Sequence, residues 1–79
     1  MYYVYLIKSI AYSTFYVGYT LDVERRLITH NSGGSIHIAK YRPWELVMFL
    51  DFKDQLKAKE FELYLKSQLG RAFAKKRFW

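Results

Sequence analysis

Cysteine is absent from this sequence of 79 residues. Disulfide bonds and cysteine-ligated zinc sites are therefore excluded, which fits a reducing compartment. Long apolar runs are also missing: no stretch approaches the roughly 18 residues of a membrane span, and the first residues lack the basic start and apolar core of a signal peptide. We therefore expect a soluble, cytoplasmic protein that has no membrane partner.

Acidic side chains are the second scarce class. Seven aspartates and glutamates stand against 13 lysines and arginines, which gives a formal net charge of +6. An excess of this size in a short chain favours a polyanionic partner, most commonly nucleic acid. Many small proteins are basic only for solubility, so charge by itself leaves a protein-interaction domain open.

Apolar and aromatic side chains are abundant. They make up 52% and 20% of the residues, which is enough to build a core, although so short a chain buries only about 60–65% of its unfolded surface. No repeat or low-complexity segment divides the sequence. We therefore expect one domain that spans residues 1–79.

Three segments are predicted to be strands. Residues 2–7 and 14–19 are rich in β-branched and aromatic side chains and are expected to pair as an antiparallel hairpin, and residues 44–52 form the third strand. Residues 36–41 and 71–78 are each a short helix or an irregular segment. The predicted order is β-β-α-(α)-β-α-(α), an α/β (α+β) fold in which helices flank a three-stranded antiparallel sheet, because each apolar face needs a packing partner.

Two longer helices are predicted from their capping residues and their periodicity. Thr20 is placed to cap a helix that ends near His30. Asp54 is placed to cap a second helix, whose apolar stripe continues to Leu69. Gly70 follows as a stop signal, because helices commonly end on a glycine.

Glu62 is the unusual residue of this second helix. On a helical wheel it falls within about 40° of Ala58 and beside Phe61, whereas Glu60 points to the opposite side. Burying an unpaired carboxylate is costly, so Glu62 needs a partner. One candidate is a divalent ion, for which one carboxylate suffices when waters and phosphate oxygens complete the shell. A buried salt bridge is the other.

Arg26 and His30 lie four residues apart and share one face of the first helix. A guanidinium offers a fork of donors that suits phosphate oxygens and can stabilise developing negative charge. Alternatively, Arg26 pairs with Asp22, and Arg25 competes for the same role although it points about 100° away. His30 can change its charge near neutral pH, so it orients a tyrosine, accepts a proton or simply caps the helix.

These residues follow the order of motifs in a known family. Residues 3–5 (Tyr-Val-Tyr), 16–18 (Tyr-Val-Gly) and 22–31 resemble the motifs of the GIY-YIG nuclease superfamily, with tyrosine in place of the first glycine. Residues 40–46 and 61–66 are similar to its small, single-domain bacterial branch. That branch is related to the N-terminal nuclease domain of the excision-repair nuclease and to GIY-YIG homing endonucleases.

The resemblance implies a metal-dependent endonuclease that hydrolyses DNA phosphodiester bonds, in repair or recombination. It places Arg26 on the catalytic arginine and His30 where the family carries histidine or tyrosine. It makes Glu62 the ligand of Mg²⁺ or Mn²⁺. Tyr5 and Tyr16 are the catalytic phenols, and either of them can be the one that takes the proton.

The resemblance also implies Gly18 as the structural glycine of the second motif, and a DNA partner that is branched, nicked or single-stranded. A homodimer or a partner protein is a further expectation. Seven exposed cations are predicted to bind the nucleic-acid backbone: Lys40, Arg42, Lys66, Arg71, Lys75, Lys76 and Arg77. The alternative function is a catalytically weak or inactive nucleic-acid-binding module of the same fold.

Overall fold

The computed structural model describes all 79 residues. It contains three strands and four helices: β1 Tyr2–Ser9, β2 Phe15–Thr20, α1 Val23–Asn31, α2 Ile36–Ala39, β3 Trp44–Phe52, α3 Gln55–Lys66 and α4 Gln68–Arg77. The strands form one antiparallel sheet in the order β2-β1-β3. The predicted fold class and element order are therefore confirmed. None of the helices has the length and apolar character that crossing a membrane requires.

The central strand β1 is buried on both faces of the sheet. Val4 and Leu6 are fully buried in a cluster with apolar residues of α3 and α4. Tyr5 and Ile7 point the other way and pack with residues of α1, α2 and the start of β3. Because side chains alternate between the two faces of a strand, a continuous apolar run is what a strand covered on both sides requires.

The two predicted helix starts have different outcomes. Asp54 caps α3 as expected, since its carboxylate accepts a hydrogen bond from the backbone N–H of Leu56 at 2.9 Å. The prediction for Thr20 is wrong, because Thr20 is the last residue of β2. Asp22 caps α1 instead and accepts a hydrogen bond from the N–H of Arg25 at 3.0 Å. A charged acceptor thus satisfies the first turn, where the helix dipole favours an anion.

The predicted end of the last long helix is wrong as well. α3 stops at Lys66, and the hydroxyl of Ser67 accepts a hydrogen bond from the N–H of Gly70 at 3.1 Å, which starts α4. Gly70 lies inside α4 where the two helices cross, and a β-carbon there would overlap the carbonyl oxygen of Tyr64. The glycine therefore permits close approach of two helices, and Leu69 is turned outward and is 77% exposed.

The side chain of Asn31 fixes the end of α1 against β3. Its carbonyl oxygen accepts a hydrogen bond from the N–H of Trp44 at 2.6 Å, and its amide donates to the carbonyl of Trp44 at 3.1 Å. The indole N–H of Trp44 donates to the carbonyl of Ile38 at 3.0 Å, in the buried interior. These bonds hold α1 in place, and α1 carries Arg26 and His30.

Candidate active site

The ring of Tyr5 reaches the free edge of the sheet because Gly18 leaves room for it. Tyr5 of β1 and Gly18 of the edge strand β2 are directly paired in the sheet. A β-carbon on Gly18 would lie 2.6 Å from Cε1 of Tyr5 and closer still to its Cζ and hydroxyl oxygen. The phenol therefore lies across the glycine, and any side chain at position 18 would displace it.

Four of the five predicted catalytic residues line one open pocket of about 400 Å³ at this edge. They come from four elements: Tyr5 from β1, Tyr16 from β2, Arg26 from α1 and Glu62 from α3. The helices α1 and α3 lie against opposite faces of the sheet, so only the edge beside β2 brings them together. The motif residues, far apart in sequence, thus share one solvent-accessible site.

His30, the fifth predicted residue, lies behind Tyr5 and is 5% exposed. Its Nε2 is 2.7 Å from the hydroxyl oxygen of Tyr5, in a buried hydrogen bond. The ring of Tyr16 meets the imidazole edge to face, with centroids 5.5 Å apart. Since Ser32 is the C-cap residue of α1, the interpretation of His30 as a simple cap is wrong. His30 therefore contacts both phenols of the predicted site.

Burial keeps both partners of this hydrogen bond uncharged at neutral pH. Burial raises the pKa of Tyr5 far above its ordinary value; neighbouring Tyr16 adds to the rise, Arg26 opposes it, and Glu62 adds a smaller increase. Burial also lowers the pKa of His30 below 6.5, and the positive charge of Arg26 lowers it further. Tyr5 is therefore a neutral phenol and His30 a neutral imidazole.

The remaining ring nitrogen of His30 indicates where its proton resides. Nδ1 is buried and has no hydrogen-bond partner. A buried N–H without an acceptor is rarer than an acceptor with an unused lone pair. We therefore assign the single proton of the neutral ring to Nε2, which donates to the hydroxyl oxygen of Tyr5. The O–H of Tyr5 is then free to donate into the pocket.

Arg26 is exposed and has no carboxylate partner. The chain contains two ion pairs, Lys8–Glu45 and Lys66–Glu62, so the alternative in which Arg26 pairs with Asp22 is wrong. Its guanidinium lines the pocket that Glu62 shares, whereas Arg25 lies on a neighbouring surface outside that pocket. A free guanidinium beside a carboxylate and two phenols is arranged to receive an anion.

Glu62 faces inward and Glu60 outward, as the helical wheel predicts. The Glu62 side chain is 16% exposed, and its Oε2 lies 2.8 Å from the Nζ of Lys66, one turn later. The salt bridge expected as the alternative partner is therefore present. No group of three metal-binding side chains exists in the chain. A lone carboxylate fits Mg²⁺, which commonly takes one or two carboxylates and completes its shell with waters and phosphate oxygens.

Three of the seven predicted backbone-binding cations line a groove of about 830 Å³ that adjoins the pocket. These are Lys66, Arg71 and Lys75. Tyr16 borders both the groove and the pocket, and the groove also contains the rings of Phe15 and Trp79, which are tilted by 37° with centroids 4.5 Å apart. The other four are exposed outside the groove, two after α2 and two at the end of α4: Lys40, Arg42, Lys76 and Arg77.

The pocket also contains three residues that were not among the predicted site residues: Tyr19, Lys59 and Leu63. The Nζ of Lys59 lies 5.4 Å from the ring centroid of Tyr19. The position of Lys59, three residues before Glu62, could have indicated that it lines the pocket, because residues three or four apart share a helix face. The same rule places Lys66, four residues after Glu62, on that face.

The buried His30 makes stability depend on pH. Its pKa in the folded protein lies below the ordinary 6.5, so the unfolded state binds more protons as pH falls through this range. The free energy of unfolding should be greatest above pH 6.5 and decline below it, by about 1.4 kcal/mol for each unit of pKa difference. Urea unfolding at pH 8 and pH 5.5 measures the decline, which should be absent in His30→Gln and retained in His37→Gln, at the exposed second histidine.

The chain matches known proteins over almost its whole length. Residues 1–77 match the GIY-YIG catalytic domain family. The UPF0213 protein YsiG of Lactococcus lactis is 42% identical over 59 residues, which covers 73% of this chain and 57% of that protein. The structure-specific endonuclease subunit slx1 of Aspergillus fumigatus is 40% identical over 65 residues, which covers 73% of this chain and 15% of that protein.

A solved structure has the same fold. The solution NMR structure of a UPF0213 protein from Bacillus halodurans superimposes with a TM-score of 0.57 at 31% sequence identity, and the match covers 96% of this chain and 84% of that one. The chain nevertheless spans less than two thirds of the length of the Lactococcus protein.

Proposed function

The chain belongs to the GIY-YIG catalytic domain family, and from that premise we propose that it is a metal-dependent endonuclease that hydrolyses phosphodiester bonds of DNA. The observation that carries the proposal is the convergence of Tyr5, Tyr16, Arg26 and Glu62 on one pocket. The family match and the similarity to an endonuclease subunit support a nuclease-type function.

Arg26 is the residue proposed to bind the scissile phosphate. Its guanidinium is exposed, has no carboxylate partner and lines the same pocket as the two phenols. Bidentate contact with phosphate oxygens would orient the bond for attack and would strengthen as negative charge develops in the transition state. We therefore propose that Arg26, the arginine that the motif register selects, stabilises the transition state.

Glu62 is the residue proposed to hold Mg²⁺ or Mn²⁺. When bound there, the ion would supply Lewis-acid polarisation of the phosphate and a positioned water. Glu62 is the one carboxylate that lines the pocket. The phosphate oxygens bound by Arg26 would complete the oxygen ligands that such an ion prefers.

Tyr16 is proposed to accept a hydrogen bond from the attacking water, and Tyr5 to donate one to the phosphate or its leaving oxygen. The division follows from their surroundings. Tyr5 is 3% exposed, its pKa is raised by burial, and His30 already donates to its oxygen, so it remains a donor. Tyr16 is half-buried and borders both the pocket and the groove. It is therefore the phenol open to water.

The basic groove is proposed to carry the backbone of the substrate toward this pocket. It presents Lys66, Arg71 and Lys75 and no acidic side chain. The likeness to a subunit of a structure-specific endonuclease motivates branched, nicked or single-stranded DNA as substrates, a partner protein or second copy for target selection, and a role in repair or recombination.

The proposal is tested by incubating the protein with labelled duplex, nicked, branched and single-stranded DNA, with Mg²⁺, Mn²⁺ or EDTA. We expect internal cleavage of at least one substrate, and its loss in EDTA. Cleavage that persists in EDTA would contradict the metal requirement. No cleavage of any of the four substrates with either ion would contradict the enzyme assignment.

One observation favours the second candidate, a nucleic-acid-binding module that cleaves weakly or not at all. The carboxylate that would hold the ion is already paired with Lys66, while the other two cations of the groove, Arg71 and Lys75, remain available to phosphates. Binding of DNA that weakens steeply with salt, without cleavage under either divalent ion, would select this function.

A further inference from the structure

Lys66 stands at the boundary between the pocket and the groove. Its Nζ lies 2.8 Å from Oε2 of Glu62 and 5.4 Å from the ring centroid of Tyr16. Lys66 lines the groove, whereas Glu62 lines the pocket. One ammonium group therefore contacts the proposed metal ligand and a proposed water-binding phenol from the side where a nucleic-acid strand would lie.

We propose that Lys66 controls access of the divalent ion to Glu62. In the free protein the ammonium occupies the carboxylate; a phosphate of a nucleic acid in the groove attracts the ammonium and leaves Glu62 open to the ion. This inference rests on the proposed function and goes beyond it, because it makes nucleic-acid binding and metal binding at this site depend on each other.

The first physical reason is competition for one carboxylate. The Glu62 side chain is mostly buried. Because an unpaired buried carboxylate is unfavourable, its negative charge needs a cation nearby. A divalent ion and an ammonium at the same carboxylate would repel each other strongly in a partly desolvated site. Binding of the ion therefore requires Lys66 to move away.

The second reason is that Lys66 can move, and that its new partner must come with the substrate. Its side chain is 42% exposed, and its ammonium stands at the end of a flexible four-carbon stem. The groove that it would enter holds Arg71 and Lys75 but no aspartate or glutamate. Because the protein offers no second anion there, a bound phosphate is the group that would stabilise the displaced ammonium.

Linkage makes the consequence reciprocal: nucleic acid should raise the affinity for the ion, and the ion should raise the affinity for nucleic acid by the same factor. Removing the ammonium should strengthen metal binding in the free protein and abolish most of the coupling. The matched control is Lys57, which is exposed on the same helix, lines neither the pocket nor the groove and does not pair with Glu62.

The test measures binding of Mn²⁺ alone by electron paramagnetic resonance to the wild-type protein, Lys66→Met, Lys66→Arg and Lys57→Met. We expect Lys66→Met to bind Mn²⁺ about fivefold or more tightly than wild type, and Lys57→Met to differ by less than about twofold. Lys66→Arg keeps the cation and should resemble wild type. Circular dichroism melts check that each variant is folded.

The second arm repeats the titrations with a phosphorothioate DNA duplex, which resists cleavage. Wild type should gain Mn²⁺ affinity about fivefold or more when DNA is present, and Lys66→Met should gain much less; Glu62→Gln corrects for Mn²⁺ bound by the DNA itself. Equal affinities of wild type, Lys66→Met and Lys57→Met would overturn the inference while metal binding stands. No binding by any of the four proteins would overturn both the inference and the proposed metal site.

Discussion

Replacement of Glu62 by glutamine is expected to lower the rate of DNA cleavage by roughly three orders of magnitude. Glutamine keeps the shape of the side chain but lacks the negative charge that would hold the divalent ion. Lys66, which loses its partner, is already 42% exposed and can turn to solvent, so the fold should survive. Single-turnover cleavage of end-labelled DNA in excess protein measures the rate without interference from product release.

The control for this prediction is Glu60→Gln. Glu60 lies two residues earlier on α3 and is exposed to solvent, so the substitution removes the same charge from the same helix without touching the pocket. It should change the cleavage rate by less than about threefold, as expected for a screened surface charge. Equal losses in the two variants would mean that net charge, and not the position of Glu62, governs the activity.

Replacement of Arg26 by alanine is expected to lower single-turnover cleavage by about 10²–10³-fold, the range observed when one preorganised donor to a developing anion is removed. The guanidinium is exposed and unpaired, so its loss should cost little folding stability. Because the contact strengthens in the transition state, the rate of the chemical step should fall far more than DNA affinity. Fluorescence anisotropy with labelled DNA measures that affinity.

Arg25→Ala provides the comparison within the same helix. Arg25 is exposed on a surface beside the pocket that does not include Glu62. Its removal should weaken DNA binding slightly, because one contact to the DNA backbone is lost. It should leave the rate at which bound DNA is cleaved unchanged. A larger catalytic loss in Arg25→Ala than in Arg26→Ala would show that the motif register assigns the wrong arginine.

The sequence was sufficient to predict the sheet and the order of its elements, and the family resemblance selected four of the seven residues that line the pocket at its edge. Patterns within single elements were enough for this: apolar runs specify β1 and β3, and the spacing of four residues places Arg26 and His30 on one helix face. The inward direction of Glu62 also follows from helical periodicity alone, because the residue falls beside buried Ala58 and Leu65.

The joint between α3 and α4 could not be predicted because tertiary packing decides it. Gly70 is typical of a helix end, but its lack of a side chain serves the close approach to Tyr64. Ser67 instead ends α3 and caps the start of α4, where its hydroxyl accepts a hydrogen bond from the N–H of Gly70. Locally, Ser67 and Gly70 suit either one long helix that ends at the glycine or two helices that meet at the serine. Only the packing of α4 against α3 selects the second arrangement.

The proton arrangement around Tyr5 was likewise beyond the sequence. A histidine at position 30 was expected to touch a tyrosine or cap the helix, and its burial follows from how deeply α1 packs. By contrast, the ion pair of Lys66 with Glu62 was within reach, because oppositely charged residues four apart commonly pair on a helix. Lys66 was assigned to the backbone surface instead.

The contact between Tyr5 and Gly18 makes the two motifs a single steric unit. The phenol crosses the edge strand only where position 18 has no side chain, so neither residue can be exchanged freely without the other. In a library randomised at both positions and selected for folded protein, variants with a side chain at position 18 should be found only with a shorter residue at position 5. Such variants would fold without presenting a phenol to the pocket. The absence of a side chain at position 18 is thus a condition for the tyrosine at position 5, and variation at the two positions should be correlated.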